Sequence, residues 1–207
     1  MSSLNGIFKW FYDLGNWLAR MMYIHILWAI FTVLGLGVFG IMPSTAALFS
    51  VMHKWFDDGF DTPIFKRFYT TYKKQFLKSN ALGVVLLGFG IFLYVDMNIS
   101  KEIIQSPYVH IILLLFSLLF FVTTLYFFPV FARYELKYLY YFKQSFFIAL
   151  ARPFETIAML LCLLILYYLF SFLPVMLFFA GSTLIAFPIA WFAHRAFVQI
   201  EEKKINE

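Results

Sequence analysis

The sequence predicts an all-α integral membrane protein: a bundle of six transmembrane helices, five in an alternative reading, with one more amphipathic helix on the cytoplasmic side. Three observations predict it. First, 63% of the 207 residues are hydrophobic and only 13% are charged, against about 45–50% and about 25% in soluble domains; the mean hydropathy is +0.82. Second, uncharged stretches recur at the length of about 20 residues that a membrane crossing needs. Third, the scarce Lys and Arg residues gather in alternate connections, as the positive-inside rule requires. Such a composition excludes a cytosolic enzyme, a secreted disulfide scaffold and a disordered chain. The whole of 1–207 reads as a single transmembrane domain, with no room for a soluble one.

The first 20 residues, MSSLNGIFKWFYDLGNWLAR, carry no apolar core followed by a small-residue cleavage site, so a removable signal peptide is not indicated. From Met21 to Met52 the chain is uncharged, and Gly35, Gly37, Gly40 and Pro43 interrupt it. A helix from about Leu14 to Leu36, with Arg20 snorkelling to the headgroups, turns at these glycines. A second then runs from about Val38 to Phe56, leaving His53, Lys54 and Trp55 at the interface. In the five-crossing alternative, Met21 to Met42 spans once and the Pro43 segment lies in the interface.

The connection Asp57 to Lys78 places Phe65, Phe68, Tyr69, Tyr72 and Phe76 at spacings of three and four, with Lys66, Arg67, Lys73 and Lys74 opposite. That spacing predicts an amphipathic helix, capped by Asp61 or Thr62, with Pro63 at its first position. Phe65, Lys66, Arg67, Phe68, Tyr69, Tyr72, Lys73 and Phe76 form its candidate membrane-surface or partner-docking strip. Spans follow over Ser79 to Val95 and Pro107 to Phe131. Pro153 to Ala193 has the length of two, divided at Ser171-Phe172-Leu173-Pro174, since proline ends one helix and suits the first turn of the next.

Charge orients the bundle. With both termini cytoplasmic and six crossings, 15 of the 16 Lys and Arg residues lie on the cytoplasmic side and Lys101 alone lies outside. Five crossings give 13 against 3, so six obey the rule better. The net charge of +5 is thereby a topology signal, and nucleic acid is not an expected partner; the lipid bilayer is.

Motifs for chemistry are sparse. No GxxxxGK[ST] loop, GxSxG elbow or HExxH helix is present, and no carboxylate pair falls within a span. The single cysteine, Cys162, reads as a small buried hydrophobe. His25, His53, His110 and His194 lie on different segments, without the i, i+4 pairing of a metal-binding helix. No catalytic, metal or cofactor residues are therefore expected, and the protein reads as a non-enzyme. The intramembrane polar candidates are His25 and the pair Thr123-Thr124, because ionisable or hydroxyl groups at membrane depth mark either function or helix-to-helix hydrogen bonds. Pro43, Ser44, Thr45 and Ala46 are a candidate helix-packing or re-entrant motif, since small residues permit close helix approach.

Several segments carry a family resemblance: Tyr23-Ile24-His25-Ile26-Leu27-Trp28, Phe39-Gly40-Ile41-Met42-Pro43-Ser44-Thr45-Ala46-Ala47-Leu48-Phe49 and Val51-Met52-His53-Lys54-Trp55. Others are Pro63-Ile64-Phe65, Thr71-Tyr72-Lys73-Lys74-Gln75-Phe76-Leu77-Lys78-Ser79-Asn80, Phe128-Pro129-Val130-Phe131-Ala132-Arg133-Tyr134-Glu135 and Phe187-Pro188-Ile189-Ala190. Over nearly the whole chain these resemble the YesL-like family of small bacterial membrane proteins, which carry a domain of unknown function. His25 departs from the pattern, since members usually show asparagine there, which puts in doubt any role needing the amide.

The resemblance implies a bacterial cell-membrane protein associated with carbohydrate utilisation. Related members tend to be encoded beside ABC importers for oligosaccharides and their sensor kinases. It implies no catalytic residues. The expected function is a non-enzymatic accessory subunit that contacts the permease subunits of such an importer. The alternatives are a stand-alone small-solute channel or carrier, and a membrane regulator paired with a sensor kinase.

Overall fold

The structure is a computed structural model. It describes residues 2–60 and 62–205, and the side chains of 8–60 and 62–203. Asp61, one of the two expected caps, lies outside the described residues, as does the side chain of Lys204. The chain is helical throughout: α1 (Ser2–Leu34), α2 (Val38–Asp58), α3 (Ile64–Ile99), α4 (Pro107–Arg133), α5 (Tyr140–Ala151), α6 (Pro153–Phe172) and α7 (Pro174–Ile205). A π-helical turn, Ser100–Ile104, extends α3.

Five helical stretches are long and apolar enough to cross a bilayer: Phe8–Leu34, Ile64–Ile104, Pro107–Arg133, Pro153–Phe172 and Pro174–Lys203. The chain is therefore a helical membrane bundle. α2 is the exception. Its 21 residues run about 31 Å, close to the thickness of a hydrocarbon core, but its last turns carry His53, Lys54, Asp57 and Asp58. It has no need of lipid-grade hydropathy, because α1, α3, α4 and α7 pack around it. Ala46, Ala47, Leu48, Val51 and Met52 are all essentially inaccessible. Pro43 and Ser44 are buried against the other helices of the bundle, and the five apolar stretches match the number of crossings in the alternative reading.

The α1–α2 turn falls where the glycines place it. Leu36 (φ 60°) and Gly37 (φ 70°) take left-handed backbone, and Gly37 N–H closes the end of α1 by donating to Thr32 O at 2.9 Å. The two helices leave the turn almost in contact: a Cβ on Gly40 would lie 2.7 Å from Thr32 Cα, and one on Gly35 would lie 2.5 Å from Gly40 Cα. Further from the turn, Trp28 Nε1–H donates to Thr45 Oγ1 at 3.1 Å. At the far end Arg20 donates to Phe60 O.

Pro43 sits at the sixth position of α2 rather than opening it. A proline has no N–H for the carbonyl four residues back, which here is Phe39 O. Asn80 Nδ2 of α3 donates to that oxygen at 2.9 Å. Asn80→Ala is expected to destabilise the protein by about 1–2 kcal/mol, the cost of an unpaired carbonyl. Pro43→Ala in the same chain should recover much of that loss by restoring the backbone donor. Thermal unfolding of the two single variants and the double variant in detergent checks the coupling.

Two elements differ from the sequence expectation. The amphipathic segment is not a separate helix but the first half of α3, which continues unbroken through the predicted boundary at Ser79. No glycine or proline stands between Ile64 and Ala81, so a change from basic to apolar side chains gives the backbone no reason to stop. Pro63 is extended (ψ 99°) and caps α3 from outside rather than occupying its first position, and Thr62 Oγ1 donates to Gly59 O at 3.3 Å. The second difference is α5, within a stretch expected to be a connection. Its buried residues Tyr141, Ser145, Ile148 and Ala149 follow helical spacing. Lys78 Nζ locks this region, donating to Leu136 O at 3.0 Å and Tyr141 Oη at 2.8 Å.

The break between α6 and α7 falls at Leu173, with Pro174 the first residue of α7 as expected. α7 presents Ala186, Ala190, Ala193 and Ala196 to the core, all buried. These small side chains let α7 approach α2 and α4 closely.

Candidate functional site

Two polar features stand out in an otherwise apolar bundle. The first is an open cavity of about 500 Å³ lined by α1, α2, α4 and α7, within the size range of small-molecule sites. It brings together residues from four segments of sequence: His25, Trp28, Thr45, Thr124 and Ser182 on a wall otherwise formed by side chains such as Phe49 and Phe128.

His25 organises it. Its Nε2 lies 2.8 Å from Phe178 O, and its Nδ1 lies 2.7 Å from Ser182 Oγ. A carbonyl only accepts, so Nε2 carries the hydrogen and Nδ1 accepts from the serine hydroxyl. Trp28 stacks beside it at 6.2 Å between ring centroids. The other hydroxyls are turned inward to their own helices: Thr45 Oγ1 donates to Ile41 O at 2.7 Å, Thr123 to Leu119 O at 2.7 Å and Thr124 to Phe120 O at 2.9 Å. This back-bonding satisfies a hydroxyl without water. Thr123 itself is buried beside the cavity and does not line it. The cavity therefore suits an apolar group, such as an acyl chain or an aromatic ring, better than a hydrated sugar.

The packing motif contributes unequally. Thr45 lines the cavity, Ser44 and Ala46 are fully buried, and Pro43 acts through Phe39 and Asn80 as described above. The motif lies within a continuous helix and is not a re-entrant turn.

The basic–aromatic strip on α3 is divided between the bundle and the surface. Phe68 is fully buried, and Phe31 of α1 is ringed by Phe65, Phe68, Tyr69 and Tyr72 at centroid distances of 4.9–6.5 Å. Tyr72 Oη–H donates to Phe31 O at 3.0 Å, and Phe76 packs edge-on against Tyr72. Arg67 Nε–H donates to Ser50 Oγ at 2.9 Å. Phe65 and Tyr69 remain about half exposed, stacked within 5° of parallel, and Lys66 and Lys73 of the same helix are also exposed.

The second polar feature lies where the C-terminal ends of α2 and α4 meet α7, and sequence reasoning missed it. Arg133 forms a bidentate pair with Glu201, with Nε to Oε1 at 3.0 Å and Nη2 to Oε2 at 2.6 Å, and Tyr134 Oη–H donates to Glu201 Oε1 at 3.0 Å. Burial, reinforced by the Glu201 carboxylate, pushes the Tyr134 phenol up to about 12. Beside this pair, Asp57 lies 3.4 Å from His53 Nε2, 3.8 Å from His194 Nδ1 and 3.9 Å from Arg133 Nη1. The His53–Asp57 spacing of four was visible in the sequence. The approach of His194, on another helix, was not.

Comparison with known proteins finds relatives along most of the chain. Residues 21–97 match the family described as "Protein of unknown function, DUF624". The chain is similar to "Uncharacterized protein YesL" of Bacillus subtilis, 36% identical over 197 residues covering 91% of each chain. It is also similar to "Uncharacterized protein YteU" of the same organism, 35% identical over 90% of this chain and 85% of the relative. A third relative there, "Uncharacterized protein YesV", is 35% identical over 88% of each. No solved structure matches. At that identity and over that length, the chain belongs to the YesL-like DUF624 family of helical membrane proteins.

Proposed function

We propose that this protein is a non-enzymatic accessory subunit of the bacterial cell membrane, acting beside the permease subunits of an oligosaccharide ABC importer. The observation that carries the reading is the half-exposed Phe65–Tyr69 stack on a helix that also exposes Lys66 and Lys73. It is held rigid because the rest of the strip is anchored on Phe31. A preorganised aromatic pair is suited to docking, since little side-chain freedom is lost on binding. The importer association rests on the YesL-like resemblance. In this reading α2 counts as a sixth crossing and both termini face the cytoplasm, supported by the placement of 15 of 16 Lys and Arg residues. The cavity favours an accessory role over a stand-alone sugar carrier, because its hydroxyls are already paired within the chain.

Purification of the tagged protein from its native membranes in mild detergent tests this. Importer permease or ATPase subunits should be recovered well above background, and Phe65→Ala with Tyr69→Ala should reduce that recovery at least several-fold. Failure to recover them, together with sugar flux through vesicles holding this chain alone, would replace the reading with the carrier.

A further inference from the structure

We propose that His53, Asp57 and His194 form a binding site for a divalent transition-metal ion, Zn²⁺ foremost, at the junction of α2 and α7. The inference is independent of any importer association.

Ligand type comes first. His53 and Asp57 stand four apart on α2, so their side chains emerge on one helical face. His194 arrives from α7, whose alanine-lined face brings the two helices into contact. One ligand atom from each of the three residues can be chosen so that all lie within 4.8 Å of one another. Tetrahedral bonds of about 2.0–2.2 Å require ligand atoms roughly 3.3 Å apart. His53 Nε2 lies 3.4 Å from one oxygen of the Asp57 carboxylate and His194 Nδ1 lies 3.8 Å from the other, so each imidazole is already near that value from one carboxylate oxygen. Small side-chain rotations close the set. Two imidazoles and one carboxylate suit Zn²⁺ and its neighbours, whereas Ca²⁺ prefers 6–8 oxygen ligands and Mg²⁺ near-ideal octahedral oxygen geometry.

Unmet hydrogen-bonding capacity points to the same place. His194 Nδ1 is a buried nitrogen with no partner, 3.8 Å from Asp57 and too far for a hydrogen bond. Arg133 Nη1 is likewise buried and unpartnered, 3.9 Å from the same carboxylate oxygen. Buried polar atoms without partners are rare. A metal ion gives His194 its partner. An exogenous water in the fourth position would accept from Arg133 Nη1, whose other guanidinium nitrogens are committed to Glu201. That bidentate pair also offsets the guanidinium charge. With neutral imidazoles, Asp57 and Glu201 balance Arg133 and the nearby Arg67, so the ligand set rather than an excess of negative charge would hold the ion.

The test uses the full chain in detergent, purified through a histidine-free tag and stripped with a chelator. Titration with Co²⁺, a coloured substitute for Zn²⁺, should give saturable visible absorption at one ion per chain, abolished by added Zn²⁺. His53→Gln, Asp57→Asn and His194→Gln should each weaken binding at least tenfold. His110→Ala, on α4 and outside the cluster, should leave it unchanged. Circular dichroism identifies any variant that fails to fold, and the wild-type titration decides independently of all of them. No saturable binding by the wild type, or a folded His194→Gln that binds as tightly, overturns the site.

Discussion

Replacing Gly40 with valine is expected to lower stability by about 3 kcal/mol, roughly 6–12 °C in the thermal midpoint. The reason is that the obstacle is backbone. A Cβ at this position falls within 2.7–2.8 Å of Thr32 Cα and C and closer still to its carbonyl oxygen. A side chain can rotate away from an intruding methyl, but the end of an opposing helix cannot. Relief requires α1 and α2 to separate, which breaks the Trp28–Thr45 hydrogen bond and opens the cavity. Gly88→Ala is the control: no atom approaches its added Cβ within 4 Å, and alanine is the better helix former by about 1 kcal/mol, so its unfolding temperature should equal or exceed that of the wild type. Equal loss from both variants would show that glycine flexibility, not close approach, explains Gly40.

The second large effect is expected at His25. Alanine there removes both bonds to α7, at 2.7 and 2.8 Å, and widens an existing cavity. Together these amount to about 2–3 kcal/mol. His25→Asn should cost less, about 1 kcal/mol. An asparagine oxygen in the place of Nδ1 can still accept from the Ser182 hydroxyl, while its shorter NH2 falls short of the position from which Nε2 reaches Phe178 O. The comparison separates hydrogen bonding from volume, because asparagine is smaller than histidine but keeps the bond to Ser182. Thermal unfolding of both variants in the same detergent provides the measurement. Equal destabilisation by alanine and asparagine would mean that ring packing against Trp28 is what matters.

Helix ends were legible wherever the chain carries its own punctuation. Gly35 and Gly37 divide α1 from α2, and Pro174 opens α7, because these residues act on the backbone directly. The continuity of α3 was hidden by the change of side-chain character near Ser79. That change records a shift in surroundings and says nothing about where a helix stops. α5 was overlooked because Lys143 and Arg152 mark a solvent-facing connection, although Tyr141, Ser145, Ile148 and Ala149 already had helical spacing. His25, Thr45 and Thr124 stood out singly as polar groups in apolar runs. Their convergence on one cavity depends on how four helices cross, and no local pattern encodes it. The same holds for His194, which is 141 positions from His53 yet lies with it on Asp57.

The unbroken α3 has a mechanical meaning. Its 36 residues run about 54 Å, nearly twice the hydrocarbon thickness, and the π-helical turn extends it further. One end is gripped by Phe31 and the α1–α2 hairpin, while its second half lies along α4. A rod held at several points cannot swing about one end: Tyr72 bonds α3 to Phe31, Asn80 to Phe39 and Lys78 to Leu136, and Phe89 packs on Phe120. A displacement of the Phe65–Tyr69 face would therefore be passed on to the helices that grip α3 along its length.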